Sequence, residues 1–366
     1  MLSILISLAL LLSGCSPRGT ILIDPAAAEI GAVQQILVAT TREPAQSSAV
    51  LSSARSTELS YFDFGVAVPP ERLPGSVTFP ERLPPDPRTD FLTVSAGQLA
   101  DKAAFASIVD ARLERLPADQ REVLVFVHGF NTTFAEGLYR QAQMSRDFGG
   151  QGVSVNYAWP SAADIFGYAS DRESVLFARD GLEDLLTSLA RTRAKRIILL
   201  GHSMGAHLVM ESLRQMDIRD TSQLFSKLSS VVLFAPDLDL DVLRMQVVAI
   251  EDEDIPVFVF VSGRDRALRI SSRIRRASER LGSVGDISRL SDLPVTVIDI
   301  SRVTPGNDPM QHSKAATSPT MIALIDGMGA AGLEMFRQDD RRPTILESGQ
   351  RAVQGVSDTT IGPSSR

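Results

Sequence analysis

The sequence predicts an α/β fold: a mainly parallel central sheet with helices on both faces and a β-rich elaboration at its N-terminal side. Three observations predict it. Strand-like apolar runs recur at 123–127, 152–158, 196–200, 231–235, 257–261 and 295–300, separated by segments of helix length, and that alternation builds a parallel sheet with crossover helices. Runs such as Val257-Phe258-Val259-Phe260-Val261 are apolar without interruption, as in strands buried on both faces. The chain of 366 residues is 44% hydrophobic, enough for one large core with additions.

In chain order, Met1 to Leu12 is an apolar run of signal-peptide length, too short to span a bilayer, and it ends at Leu12-Ser13-Gly14-Cys15-Ser16. This end resembles a bacterial lipobox, in which Cys15 becomes the lipidated first residue, so residues 1–15 are expected to be a lipoprotein signal peptide. Cys15 is the only cysteine, which excludes an internal disulfide framework and a Cys-rich metal site. Acyl chains contribute about 0.8 kcal/mol per buried CH₂, so a multiply acylated cysteine anchors firmly to a membrane. Ser16 resembles the outer-membrane pattern, and the expected location is the bacterial cell envelope, on the outer membrane facing the periplasm. No Lys or Arg precedes the apolar run; an upstream start, an ordinary cleaved signal or a buried N-terminal helix are the alternatives.

Residues 16–120 read as an N-terminal elaboration with strand-like runs at Gln35 to Thr40 and Leu59 to Val68. Seven prolines from Pro69 to Pro87 break regular structure, so 69–90 is expected to be an extended surface loop. The core occupies 121–336, and 337–366, rich in Arg, Ser, Gly and Asp, reads as a disordered tail. There is no internal repeat.

Within the core, Gly201-His202-Ser203-Met204-Gly205 follows the apolar run Arg196 to Leu200 and leads into a helix-like segment from Ala206. A strand, a sharp turn and a helix are implied. Such a turn forces its central residue into a strained conformation, and Gly201 and Gly205 remove the Cβ atoms that would clash. The Ser203 hydroxyl is thereby presented as a nucleophile, against the plainer reading of a Gly-rich turn capped by serine.

A serine alcohol needs a base, and the chain has four histidines. His202 points away as the neighbour of Ser203, His207 lies on the helix that packs on the sheet, and His128 ends a different strand upstream. His312, in the loop Asn307 to Ser313, remains as the general base. For the orienting carboxylate, Asp265 leaves the strand 257–261 through Ser262-Gly263-Arg264, and Asp237, after the strand-like run 231–235, is its rival. Asp239 and Asp241 blur that rival, and Asp299 and Asp308 sit too near His312 in sequence. Two backbone donors for an oxyanion are available, the N–H of Met204 and that of Phe130 in His128-Gly129-Phe130-Asn131.

His128, Asn131 and Trp159 are candidate pocket residues. Trp159, the only tryptophan, opens the loop Trp159-Pro160-Ser161 to Tyr168, which either lines an acyl pocket as a wall or lid or merely ties the loop to the core. Seven arginines in 264–280 suit an anionic partner, but Ile270, Ile274, Ala277 and Leu281 form one helical stripe, which favours a solvated basic face.

These residues carry a resemblance to the α/β-hydrolase superfamily and, more narrowly, to a bacterial family of α/β hydrolases of unknown function. The narrower likeness rests on ILVATTR at 36–42, VFVHGFN at 125–131, AWPSA at 158–162, DRESVLFARDGLEDLL at 171–186, GHSMGAHL at 201–208, APDLD at 235–239 and SGRDRAL at 262–268. Ala206-His207 departs from the small polar residue expected after the elbow. The resemblance implies the chain order Ser203, Asp265, His312 for the triad and an oxyanion loop at His128-Gly129. It implies a serine hydrolase, expected to act on a small-molecule carboxylic ester, without metal or organic cofactor. A thioesterase, amidase or lipase with the same triad, or a silent envelope-binding lipoprotein on this scaffold, are the alternatives. The net charge of −7 and pI near 5.3 argue against nucleic-acid binding. Oligomeric state is not encoded in these features.

Overall fold

A computed structural model describes residues 19–44, 51–149, 152–221, 225–250, 255–269, 281–283, 287–304, 306, 308 and 310–322. The expected signal peptide with Cys15, residues 270–280 of the arginine-rich segment, and the expected tail 337–366 lie outside the described residues. Among the described residues no helix is long and apolar enough to cross a membrane.

Nine strands form one sheet: β1 (Ala32–Pro44), β2 (Leu51–Val68), β3 (Leu92–Leu99), β4 (Glu122–Val127), β5 (Val153–Ala158), β6 (Arg196–His202), β7 (Leu228–Phe234), β8 (Val257–Val261) and β9 (Thr296–Asp299). Their spatial order is β3-β2-β1-β5-β4-β6-β7-β8-β9. Every pair from β1·β5 to β8·β9 is parallel, while β1·β2 and β2·β3 are antiparallel. This is the mainly parallel sheet expected, and the β-rich N-terminal part extends its edge.

The helices are α1 (Lys102–Glu114), α2 (Phe134–Asp147), α3 (Tyr168–Ala190), α4 (Met204–Ile218), α5 (Leu240–Ala249) and the single turn α6 (Lys314–Thr317). The two faces of the sheet are filled by alternate residues of the same strands. On β8, Val257, Val259 and Val261 enter a core shared with α1, α3, α4 and α5, whereas Phe258 and Phe260 enter one on the opposite face with Met144 of α2. A strand with helices on both sides has no polar face, which is why 257–261 reads as an unbroken apolar run.

Two elements were not legible. β3 carries Ser95, Gly97 and Gln98 among its residues, and its outer positions are exposed; an edge strand needs apolar residues on one side only. α1 begins at Asp101, whose carboxylate caps the Ala104 N–H at 2.9 Å, and buries Phe105, Val109 and Leu113 on one stripe. The Pro-rich stretch 69–90 has no strand or helix, and it is tied to α2, where Asp147 pairs with Arg72 and accepts from the Gly75 N–H at 2.7 Å.

From β4 the chain passes through α2 to β5 on one side, then through α3 back across to β6 on the other. This reversal parts the carboxyl ends of β4 and β6, the place where open parallel sheets form a crevice. A Leu199→Ala substitution in β6, fully buried at 0% exposure, is expected to lower unfolding free energy by about 2–5 kcal/mol, read as a lower urea midpoint with an unchanged slope. A loss below about 1 kcal/mol would contradict its place in the core.

Candidate active site

At the end of β6 Ser203 adopts φ 53°, ψ −120°, a left-handed backbone that a non-glycine residue holds only under external constraint. The constraint comes from the next strand: the Ser203 N–H donates to Phe234 O at 2.9 Å, and the Asp237 N–H donates to Ser203 O at 3.1 Å. Both flanking glycines are required. A Cβ on Gly205 would lie 2.3 Å from His128 O, and one on Gly201 would lie 2.7 Å from the Ala206 Cα. The start of α4 thus presses directly on the end of β4. Gly129 has the same role in the facing loop, where a Cβ would meet both Ser203 Cβ and His202 Nδ1 at 2.9 Å.

Asp265 is fully buried after β8. Its Oδ1 accepts the Leu268 N–H at 2.9 Å, and its Oδ2 lies 2.7 Å from His312 Nδ1. The His312 ring lies 4.8 Å from that of His202, the residue before Ser203, so the loop from the far side of the sheet brings the imidazole–carboxylate pair to the serine turn. Asp308 shapes that loop by accepting the Met310 N–H at 2.9 Å and the Ser313 N–H at 2.6 Å. Burial works to discharge His312, but the charge and hydrogen bond of Asp265, with Asp237 and Asp308 behind it, raise its pKa above the ordinary value. His202 goes the other way: burial and the neighbouring His312 charge hold it well below the histidine range, and its Nε2 lies 3.4 Å from His312 O.

The rival carboxylate Asp237 is engaged elsewhere. It accepts the Tyr168 hydroxyl at 2.6 Å, and its charge also acts on His312. The Tyr168 ring packs edge-on against Phe130, with centroids 5.2 Å apart. His207, on α4, is buried with Nε2 3.7 Å from Glu211.

Met204 is the first residue of α4, so its N–H has no acceptor within the helix. Phe130 follows Gly129 in the loop after β4, and Asn131 is held at φ 54°. The two candidate donors therefore flank Ser203 from the ends of β4 and β6.

The expectation that His128 and Trp159 line a pocket is corrected. Their rings stack 5.1 Å apart at 14°, Trp159 Nε1 donates to His128 O at 2.7 Å, and both side chains are buried at 1% or less. Burial and the Arg42 charge push His128 down to about 3, so it stays neutral. An aromatic stack this deep anchors the loop to the core and offers no surface to a ligand. Asn131 remains at the loop surface, half-buried.

Sequence reasoning missed the polar groups that hold these loops: Tyr168, Asp308, Arg42 and Asp171. Asp171 and Arg42 are buried at 0% and 1%. A charged residue inside otherwise apolar, periodic segments was the available signal. Among the described residues no group of three or more His, Cys, Asp or Glu is placed to hold a metal ion.

Comparison with known proteins agrees with this architecture. A family described as "Alpha/beta hydrolase of unknown function (DUF900)" matches residues 102–327. No curated protein matches the chain. Solved structures similar to it include a dienelactone hydrolase from Anabaena variabilis, at 10% identity over 75% of this chain and 92% of that one, with a TM-score of 0.37. Another is a dienelactone hydrolase-like promiscuous phosphotriesterase from metagenomic libraries, at 15% identity over 84% and 99%, TM-score 0.37. A third is esterase 2 of Thermogutta terrifontis phosphorylated by paraoxon, at 12% identity over 65% and 76%, TM-score 0.26. Likenesses this distant carry no weight on substrate or mechanism. The family match, spanning more than half of the sequence, decides the assignment: the chain belongs to the alpha/beta hydrolases of unknown function.

Proposed function

We propose that this chain is a serine hydrolase that cleaves carboxylic esters through an acyl-enzyme on Ser203. The observation that carries the reading is the 2.7 Å contact of His312 with buried Asp265, with the His312 ring 4.8 Å from that of His202, the residue before a serine held at φ 53°. Asp265 holds the Nδ1–H tautomer, which leaves Nε2 bare to take the Ser203 proton as Oγ attacks the ester carbonyl. The oxyanion that forms is met by the N–H groups of Met204 and Phe130, each such donor being worth about 3–4 kcal/mol of barrier. His312 then returns the proton to the leaving alcohol, and water repeats the cycle to release the acid. The triad does not encode the leaving group, so thioester, amide and lipid substrates belong in the same assay panel.

The lipobox-like segment supports a lipid anchor at Cys15 and a place in the bacterial cell envelope. Cys15→Ser is expected to move the protein from the detergent-rich to the aqueous phase on Triton X-114 partition, with unchanged partition contradicting the anchor.

Ser203→Ala is expected to lower turnover of short-chain nitrophenyl esters by about four to six orders of magnitude, and unchanged turnover would remove Ser203 from the mechanism. The active imidazole is the neutral one, and its pKa is raised, so kcat/KM should rise with pH through an apparent pKa above 6.5. Asp265→Asn removes the charge that favours the imidazolium. Its acidic limb should therefore move to lower pH while kcat falls about 10⁴-fold; a limb that stays in place would dissociate Asp265 from His312.

A further inference from the structure

The loop that bears Phe130 is held by two buried charges that the mechanism above does not use. Asp171, at the start of α3, accepts the Ser161 hydroxyl at 2.6 Å and the Ala162 N–H at 2.7 Å. Ser161 in turn accepts the Thr132 N–H at 3.3 Å. Arg42, on β1, donates from Nη2 to Thr132 O at 3.0 Å and from Nη1 to Ser52 O at 3.2 Å. The Thr132 hydroxyl closes the set by donating to Phe130 O at 3.1 Å.

The peptide joining Phe130 to Asn131 is thereby held at its oxygen by the Thr132 hydroxyl. Thr132 itself is fixed at N–H and O by Ser161 and Arg42. These bonds hold Asn131 at φ 54°, a conformation an isolated loop would relax from. Buried charges left without partners are costly, so this geometry is specified strongly: moving the loop would strand both the carboxylate and the guanidinium.

We propose that Asp171 and Arg42 are positioning residues, which set the Phe130 N–H for a developing oxyanion before substrate arrives. The proposal rests on the serine-hydrolase reading of Ser203. Neither residue touches substrate; each acts through backbone it holds. Preorganised donors matter because the reaction then spends no energy orienting them.

The test uses active-site titration of the full chain with a fluorophosphonate, followed by kcat and KM for nitrophenyl acetate per titrated serine. Asp171→Asn, which loses charge and puts an NH₂ where an acceptor stood, is expected to lower kcat per titrated site by about 10²-fold with KM within about threefold. Ser161→Ala, a smaller change that removes the hydroxyl linking Asp171 to the Thr132 N–H together with its long contact to the Ala163 N–H, should lower it about tenfold and keeps the test open if the first variant does not fold. A purely structural role would reduce the number of titratable sites and leave kcat per site at the wild-type value, and that result in Ser161→Ala, or in Asp171→Asn where it folds, would overturn the proposal. A wild-type chain that is not labelled at all would sink the serine-hydrolase reading itself, and the proposal with it.

Discussion

The left-handed backbone of Ser203 is the constraint on which the rest of the site depends. Such a conformation costs on the order of 1–3 kcal/mol, and it persists because its neighbours leave no alternative. The N–H and C=O of Ser203 are both bonded to the strand-to-loop segment at Phe234 and Asp237, so relaxing the turn would break the ladder between β6 and β7. On the other side Gly205 sits against the carbonyls of Val127 and His128, with no room for a side chain. The sheet's order supplies the setting, since β4 and β6 are neighbours whose crossovers leave on opposite sides.

Electrostatics follows from the same crowding. A buried imidazole is easier to keep neutral than charged, yet the general base proposed for His312 must tolerate charge at the moment of proton transfer. Asp265, Asp237 and Asp308 supply that tolerance at three different positions around His312. His202, against the same loop, is kept uncharged by its burial, so it adds no positive charge beside His312. The acids differ in what holds them. Asp265 contacts the ring, Asp308 folds the loop that carries it, and Asp237 is bonded to Tyr168 while its backbone supports Ser203.

Much of this was legible in the sequence, and the reasons separate cleanly. The core strands β4 to β9 declared themselves because burial on both faces demands continuous apolar residues, as in 257–261. The serine turn showed itself through Gly201 and Gly205, whose absent Cβ atoms are a steric requirement written into residue type. His312 was singled out by elimination, and Asp265 over Asp237 by the chain order that the family resemblance implies; in the structure these two side chains are in contact. What stayed hidden depends on long-range contacts. That His128 and Trp159 stack inward follows from the packing of two loops, which neither loop's sequence encodes. Likewise, the burial of Asp171 follows from the loop at Ser161 folding over it, which the sequence of α3 alone does not encode.

The most direct measurement is acid-quench mass spectrometry of the full chain mixed with nitrophenyl acetate, with peptide mapping of the trapped species. Acylation confined to the peptide bearing Ser203, accumulating within one turnover and lost in His312→Ala, is the predicted result. Steady ester turnover with no acyl group on that peptide, or with the acyl group on another residue, would contradict it.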